Sequence, residues 1–195
     1  MTERVVIALS GGADSTLAAS LLLSRGYSVF GLHLLLTHST ESQHQAALAG
    51  DIARQLGIEF AVVDAVDIFS SRVVAPFCHE YASGRTPNPC VVCNRDIKFG
   101  YLLRMALERG ADKLATGHYA RITAHEGAHV LQCAADRQAD QSYFLYAIDA
   151  ASLSRLVMPL GAVSRGRVRS LASNRGLARG KSSQDICFLG DQDLH

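Results

Sequence analysis

The stretch "RVVIALSGGADST", Arg4–Thr16, decides how this chain folds. "VVIAL" is apolar and of strand length, too short to cross a membrane. Gly11 and Gly12 then break the run, and a helix is expected from about Asp14 to Arg25. Adjacent glycines let the backbone turn tightly and approach a ligand closely. The helix behind them turns free N–H groups and the positive end of its dipole toward the same place. Ser10, Ser15 and Thr16 add hydroxyl donors. Such a strand, glycine turn and helix start can cradle phosphate. A plain tight turn is the structural alternative, and a helix cap is the alternative for Asp14. The loop carries neither G-K-[ST] nor G-x-G-x-x-G, so it is neither a Walker loop nor a dinucleotide fingerprint.

Outward from this stretch, strand and helix patterns alternate. "YSVFGLHLLL" reads as a second strand, and "ESQHQAALAGDIARQLG" as a helix that ends at Gly57. "IEFAVVDA" reads as a third strand, followed by a helix that Asp67 could cap and that runs to about Ala82. The prolines and glycine of residues 84–94 predict an interruption, with helix resuming near Asp96 and running to about Arg109. "DKLATGH" predicts a short buried strand, and "ARITAHEGAHVLQCA" a β-hairpin turning at Glu126-Gly127. "DQSYFLYAI" and "SRGRVRSLASNRG" predict helices, and "DICFLG" a last strand. This alternation predicts an α/β fold, a three-layer sandwich around a mostly parallel sheet with a small hairpin insertion. Its ligand crevice is expected at the carboxyl ends of the strands.

The 195 residues suit one domain, and a formal charge of +1 gives no global basic signature. Nucleic acid, if bound, must meet a local patch, for which "RGRVR" near Arg165 is a candidate. Neither signal peptide nor membrane span is visible, so a cytoplasmic, reducing setting without a membrane partner is expected. There the five cysteines read as chemistry, metal ligands or core. Cys78 and Cys133 sit in apolar patterns and are expected in the core. His33 is expected to be a packed histidine, and His38, His44, His79, His125 and His129 to lie at the surface. "TPNPCVVCNRDIKFG" carries Cys90 and Cys93 in C-x-x-C spacing, followed by Arg95 and Lys98, cations of the kind that make a thiol reactive. Zinc, a redox pair, an iron–sulfur site and plain core all remain open at this point.

The complete S-G-G-x-D-S resembles the pyrophosphatase loop of the N-type ATP pyrophosphatases. Four further segments extend the likeness to one family. "GRTPNPCVVCNRDIKFGYLL", "ADKLATGHYAR", "DQSYFL" and "SSQDICFLG" are similar, in that order, to segments of the tRNA 2-thiouridylases. The resemblance spans nearly the whole chain. It implies the adenine nucleotide α-hydrolase-like fold, with residues 1–195 forming the catalytic domain. It also implies an ATP-dependent sulfur transfer to C2 of the wobble uridine of tRNA. ATP and Mg2+ are the implied cofactors, with Ala8, Leu9, Ser10, Gly11, Gly12, Ala13, Asp14, Ser15, Leu34 and Gly117 around the nucleotide. Asp14 would help hold the metal. Cys93 matches the nucleophile and Cys187 the persulfide carrier. Asn88, Pro89 and Cys90 match positions that touch the target base, and His118, Asp140 and Gln141 fall among the implied RNA contacts. A sulfur-donor protein, a desulfurase or relay, is the second implied partner.

Two departures accompany the likeness. The family's central and C-terminal tRNA-binding domains are absent from these 195 residues, so a catalytic module, alone or beside a separate tRNA-binding partner, is expected to hold RNA weakly. Ala139 stands where the family has a lysine before D-Q-S-Y-F-L. A third thiol, Cys90, also joins Cys93 and Cys187, a set that matches the ligands of a site-open [4Fe–4S] cluster.

Overall fold

The computed structural model describes residues 2–174 and 187–188. Its strands are β1 (Arg4–Ala8), β2 (Ser28–Leu35), β3 (Glu59–Asp64), β4 (Lys113–Ala115), β5 (Ala120–His125), β6 (Ala128–Cys133) and β7 (Leu156–Val157). Five of them form one sheet in the order β3-β2-β1-β4-β7, with every neighbouring pair parallel. β5 and β6 pair antiparallel as the expected hairpin, which turns through Glu126 (φ 49°) and Gly127 (φ 81°).

β1 is central and buried on both faces, as its unbroken apolar run requires. Val5, Ile7 and Leu9 face a core shared with α1 (Ala13–Ser24) and α2 (Thr40–Leu56), through Leu17, Leu22, Ala49 and Ile52. Val6 faces the opposite core, built from Phe99, Leu102, Leu103 and Ala106. Period-two alternation thus places helices on both faces, and the three layers follow. α2 is bounded as its sequence suggests. Ser39 caps it by accepting the Ser42 N–H at 3.2 Å, and Gly57 ends it at φ 67°.

The remaining helices differ from expectation in instructive ways. Residues 66–82 run as α3 (Val66–Phe69), a π segment (Ser70–Val74) and α4 (Ala75–Ala82). Asp67 lies in the first turn rather than at the cap, and Asp64 instead accepts the Val66 N–H at 3.0 Å. Cys78 is exposed on α4, because that helix turns Phe77 inward. Cys133 is half-buried, with Ser142 Oγ 3.6 Å from its sulfur. Helix resumes at Pro89, seven residues before the expected start, as α5 (Pro89–Val92), a second π segment (Cys93–Leu102) and α6 (Leu103–Glu108). Pro89 stands at the first helical position, where its missing N–H costs nothing, so here proline starts a helix instead of breaking one. "DQSYFLYAI" holds only a short 3-10 turn, Ser142–Leu145, and α7 (Arg165–Asn174) is helical as expected. The strand expected over 185–190 falls mostly outside the described residues, and Cys187-Phe188 form a turn.

His33, buried on β2, ties the sheet to the glycine loop through Nδ1, 2.7 Å from the Leu9 carbonyl. Burial lowers its pKa, with the Leu9 bond opposing. The unfolded chain therefore takes up the proton more readily than the folded one. Stability due to neutral His33 is present above the ordinary imidazole value of about 6.5 and is lost as pH falls from there toward the lowered folded value. Thermal melts followed by circular dichroism are expected to give a lower Tm at about pH 5 than at about pH 7. His33→Leu is expected to start lower at neutral pH and to lose less on acidification.

Candidate active site

From β1 the chain continues to β2 on one side, and β4 pairs on β1's other side. Their carboxyl ends therefore mark the point where strand order reverses, the place a ligand crevice is expected in an open parallel sheet. Residues 9–16 leave the end of β1, and residues 116–119 leave the end of β4. Gly11 adopts φ 84°, a left-handed value that disfavours side chains, and Gly12 is the extended N-cap of α1. Among the described residues no side chain caps this helix, so the cap role considered for Asp14 is not the one observed. The hydroxyls mainly shape the loop: Ser15 Oγ and Thr16 Oγ1 donate to the Gly12 carbonyl at 3.0 and 2.9 Å. Ser15 Oγ also accepts the Ser10 N–H at 3.2 Å. This leaves a helix start with uncapped first-turn N–H groups, a geometry suited to an anion.

Gly117 lies hard against that start. A Cβ there would sit 2.9 Å from the Ser15 nitrogen and 3.0 Å from the Asp14 carbonyl carbon. Beside it, Tyr119 Oη donates to Asp14 Oδ1 at 2.9 Å. His118 turns the other way. Its Nδ1 is 2.8 Å from Thr116 Oγ1, and its ring meets Phe99 of the second π segment at 5.6 Å. Burial, then the nearby Lys98 charge, hold its pKa well below the ordinary value, so the ring is neutral at neutral pH.

The thiol-bearing helix begins at Asn88, whose Oδ1 accepts the Cys90 N–H at 3.1 Å. In the π segment Cys93–Leu102, bonds run from residue i to i+5, so residues five apart stack on one face. Lys98, five residues on, is near enough for its charge to act on the Cys93 thiol. Gly100 fits the same geometry, because a Cβ there would be 2.9 Å from the Arg95 carbonyl, again five residues back. Cys93 is only 7% exposed, packed with Phe69, Val73 and Ile97. Burial pushes its thiol up to about 11; Lys98 opposes the shift, while Cys187, Cys90 and Asp96 add to it. Asp96 is itself held by Arg95, at 2.6 and 2.9 Å. Phe188 brings its neighbour Cys187 to this site, edge-on to Phe69 at 5.7 Å and Phe77 at 5.5 Å. Cys187 is exposed, yet desolvation of its thiol also raises its pKa, again opposed by Lys98.

The structure thus gathers Asp14 with Gly117, and Cys93 with Cys90 and Cys187. It uses several predicted contacts differently. Leu9 spends its N–H on Leu32 and its carbonyl on His33, with its side chain in the core. Ala8 and Leu34 are half-buried against the second core, and Pro89 is buried. Asp140 accepts from Ala134 N at 2.6 Å and from Ser142 Oγ at 2.7 Å, while Gln141 Oε1 accepts from Tyr119 N at 3.0 Å. Both side chains therefore work within the fold. Tyr119 and Asn94 lie inside two of the family-like segments, yet neither is among the expected site residues. Asn94 Nδ2 donates to the Phe144 carbonyl at 3.1 Å, while its buried Oδ1 is unpaired among the described residues. Among those residues no group of three or more His, Cys, Asp or Glu side chains is arranged to hold a metal.

A family model described as tRNA methyl transferase HUP domain matches residues 3–191. The chain belongs to this family. Among curated relatives, the tRNA-specific 2-thiouridylase MnmA of Syntrophotalea carbinolica is 48% identical over 198 residues, covering 98% of this chain and 56% of that protein. Its counterpart in Dehalococcoides mccartyi is 46% identical over 200 residues, with coverages of 98% and 56%. The chain spans about half the length of the curated relatives it matches. Two solved structures share the fold. One is a 4-thiouridine synthetase–RNA complex with bound ATP (TM-score 0.62, 17% identity, 90% of this chain and 41% of that one). The other is the U34-tRNA thiolase NcsA of Methanococcus maripaludis with its [4Fe-4S] cluster (TM-score 0.59, 19% identity, 96% and 61%). Among the described residues no helix is long and apolar enough to cross a membrane.

Two measurements check this HUP-domain geometry. Gly117→Ala drives a methyl group into backbone that cannot yield as a side chain would, so phosphate-ligand affinity is expected to fall at least tenfold by calorimetry. Retention of wild-type affinity would show that the loops do not need this close approach. Iodoacetamide alkylation followed by peptide mass mapping is expected to label exposed Cys78 quickly at neutral pH and Cys93 slowly. The Cys93 rate should climb toward pH 11, and Lys98→Met should slow it further.

Proposed function

We propose that this chain is the adenylating and sulfur-transferring domain of a tRNA uridine 2-sulfurtransferase that consumes ATP and releases AMP and pyrophosphate. One observation carries the reading: the single segment 116–119 touches both halves of the required machinery. Gly117 lies against the phosphate loop, and His118 lies against the thiol-bearing helix. Replacing a carbonyl oxygen by sulfur requires exactly two operations, turning oxygen into a leaving group and delivering sulfur, and this crevice can hold both.

In the proposed sequence the uracil O2 attacks the α-phosphorus of ATP and pyrophosphate departs. The loop N–H groups would grip the phosphates, and Asp14, bonded through Oδ1 to Tyr119, would help hold Mg2+, which would supply charge for the departing pyrophosphate. The terminal sulfur of a persulfide on Cys187 then attacks C2, and AMP leaves with the oxygen. This gives a base–S–S–Cys187 linkage. Cys93 gives up its proton, which ends on the released thio-base, and its sulfur attacks the Cys187 sulfur; the base keeps its sulfur as 2-thiouridine, and a Cys93–Cys187 disulfide forms. A thiol reductant restores both cysteines. Neutral His118 and half-buried Cys90 would meet the RNA base by hydrogen bonding and contact. No step passes through an iron–sulfur cluster. A sulfur donor must load Cys187, and the free thiols suit a reducing compartment such as the cytoplasm. Ala139 favours a variant of this reading in which a separate partner supplies RNA affinity. It is only 7% exposed, so the position of the family's lysine is occupied by core.

Purified chain, tRNA, ATP, Mg2+ and a persulfide donor test the scheme. Asp14→Ala is expected to lose pyrophosphate release by about a hundredfold or more. Cys93→Ser is expected to keep pyrophosphate release and to accumulate RNA linked to Cys187, freed by dithiothreitol. Cys187→Ser is expected to release pyrophosphate without 2-thiouridine, and full thiolation by that variant would rule out the two-cysteine route.

A further inference from the structure

Tyr119 is 1% exposed, set in the core that also holds Ala134, Ala139 and Leu160. A tyrosine at this depth normally directs its hydroxyl to a partner, and here that partner is Asp14, 105 residues earlier, at 2.9 Å. The opposite side of the residue is gripped as well. Its N–H donates to Gln141 Oε1 at 3.0 Å, and its carbonyl accepts the Gln141 N–H at 2.8 Å. Asp140 anchors the gripping segment in turn, through Ala134 and Ser142. The same segment continues into Tyr143 and Tyr146, which are 67% and 68% exposed.

We propose that Tyr119 is a positioning residue that aims the Asp14 carboxylate, and that Gln141–Tyr119–Asp14 is a brace setting the phosphate loop from the 140–146 segment. The proposal rests on the reading above that Asp14 serves ATP with Mg2+. A carboxylate on a free side chain must be ordered when it takes up a cation, and that ordering opposes binding. A bond from a buried hydroxyl fixes one oxygen beforehand and leaves the other in place. Gln141 fixes the tyrosine's backbone, so the aim is set without Gln141 touching Asp14. A tyrosine that merely filled the core would need its ring and not its hydroxyl.

Tyr119→Phe separates these roles, since it keeps the ring and removes only the O–H. Calorimetry of ATP is run with Mg2+ and again with EDTA, beside thermal melts of each protein. The brace predicts that Tyr119→Phe loses about tenfold in Mg2+-dependent affinity, the scale of a hydrogen bond to a charged group. Metal-free ATP binding is expected to stay within about twofold. Gln141→Ala is expected to weaken Mg2+-dependent binding in the same direction by a smaller factor. The double variant is expected to be no worse than Tyr119→Phe alone, because Gln141 acts through the tyrosine. Wild-type Mg2+–ATP affinity in Tyr119→Phe, or equal losses with and without Mg2+, overturns the brace and leaves the nucleotide reading standing. A wild-type chain that binds no Mg2+–ATP overturns both.

Discussion

There is no room for a side chain at residue 117, and most of the site follows from that constraint. Parallel pairing brings β4 beside β1, in the register Ile7 to Ala115, so the loops that leave both strands must share one crevice. They share it by backbone contact, with the peptide of Gly117 against the first turn of α1. Two residues later the side chain of Tyr119 reaches Asp14 in that turn, and between them His118 faces the thiol-bearing helix. Three consecutive residues thus have three different neighbours, and any shift of the Gly117 contact displaces all of them. Loops elsewhere tolerate rearrangement. This one is fixed by hard repulsion on one side and by the Gln141 grip on the other.

The thiol site depends on a second geometric choice, the π form of residues 93–102. Added width per turn costs packing and hydrogen-bond quality, so such helices are rare and tend to mark functional places. Here the segment carries Lys98, whose charge acts on Cys93. The cysteine remains a neutral thiol at neutral pH, because burial outweighs the cation. For the proposed chemistry that balance has a purpose. A thiolate's intrinsic nucleophilicity rises with its pKa, while its abundance falls. A buried, high-pKa thiol is protected from stray oxidation and attacks strongly once its proton is taken. Low-pKa thiols trade in the opposite direction.

The layers of the fold were legible because they rest on local chemistry. "VVIAL" before a glycine turn reads as a buried strand, Gly57 as the stop of α2, and Glu126-Gly127 as a hairpin turn. Such features are decided by a few adjacent residues. What could not be read depends on contacts distant in sequence. β7 is two residues long, and nothing in "LV" marks it as a strand until β4 pairs with it. Prolines 87 and 89 read as breakers, though the second begins a helix. No propensity separates a π turn from an α turn, so the form of residues 93–102 was hidden even though Cys93 and Lys98 were both in view. Of the candidate site, the loop residues and the cysteines were visible as motifs. Asp140 and Gln141 belonged to a motif too, but their side chains turn inward. Motif membership marks a segment as important without showing whether its side chains face a ligand or hold the residues that do.

The charge distribution then orders the proposed steps. His118 follows Gly117 of the phosphate crevice and packs on Phe99 of the thiol-bearing helix, and a charged imidazole there would be drawn to phosphate or thiolate. Burial and the adjacent ammonium of Lys98 keep it neutral, so it can bond to a base without competing for either anion. Lys98, half-buried, acts electrostatically on Cys93, Cys187 and His118 together. As sulfur passes from Cys187 to the base and Cys93 closes the disulfide, the negative charge moves from one sulfur to the next within the field of one ammonium group. A single cation close to every sulfur in the sequence stabilises each intermediate without tying any of them down, as a bidentate arginine would. That suits a site through which an atom must pass.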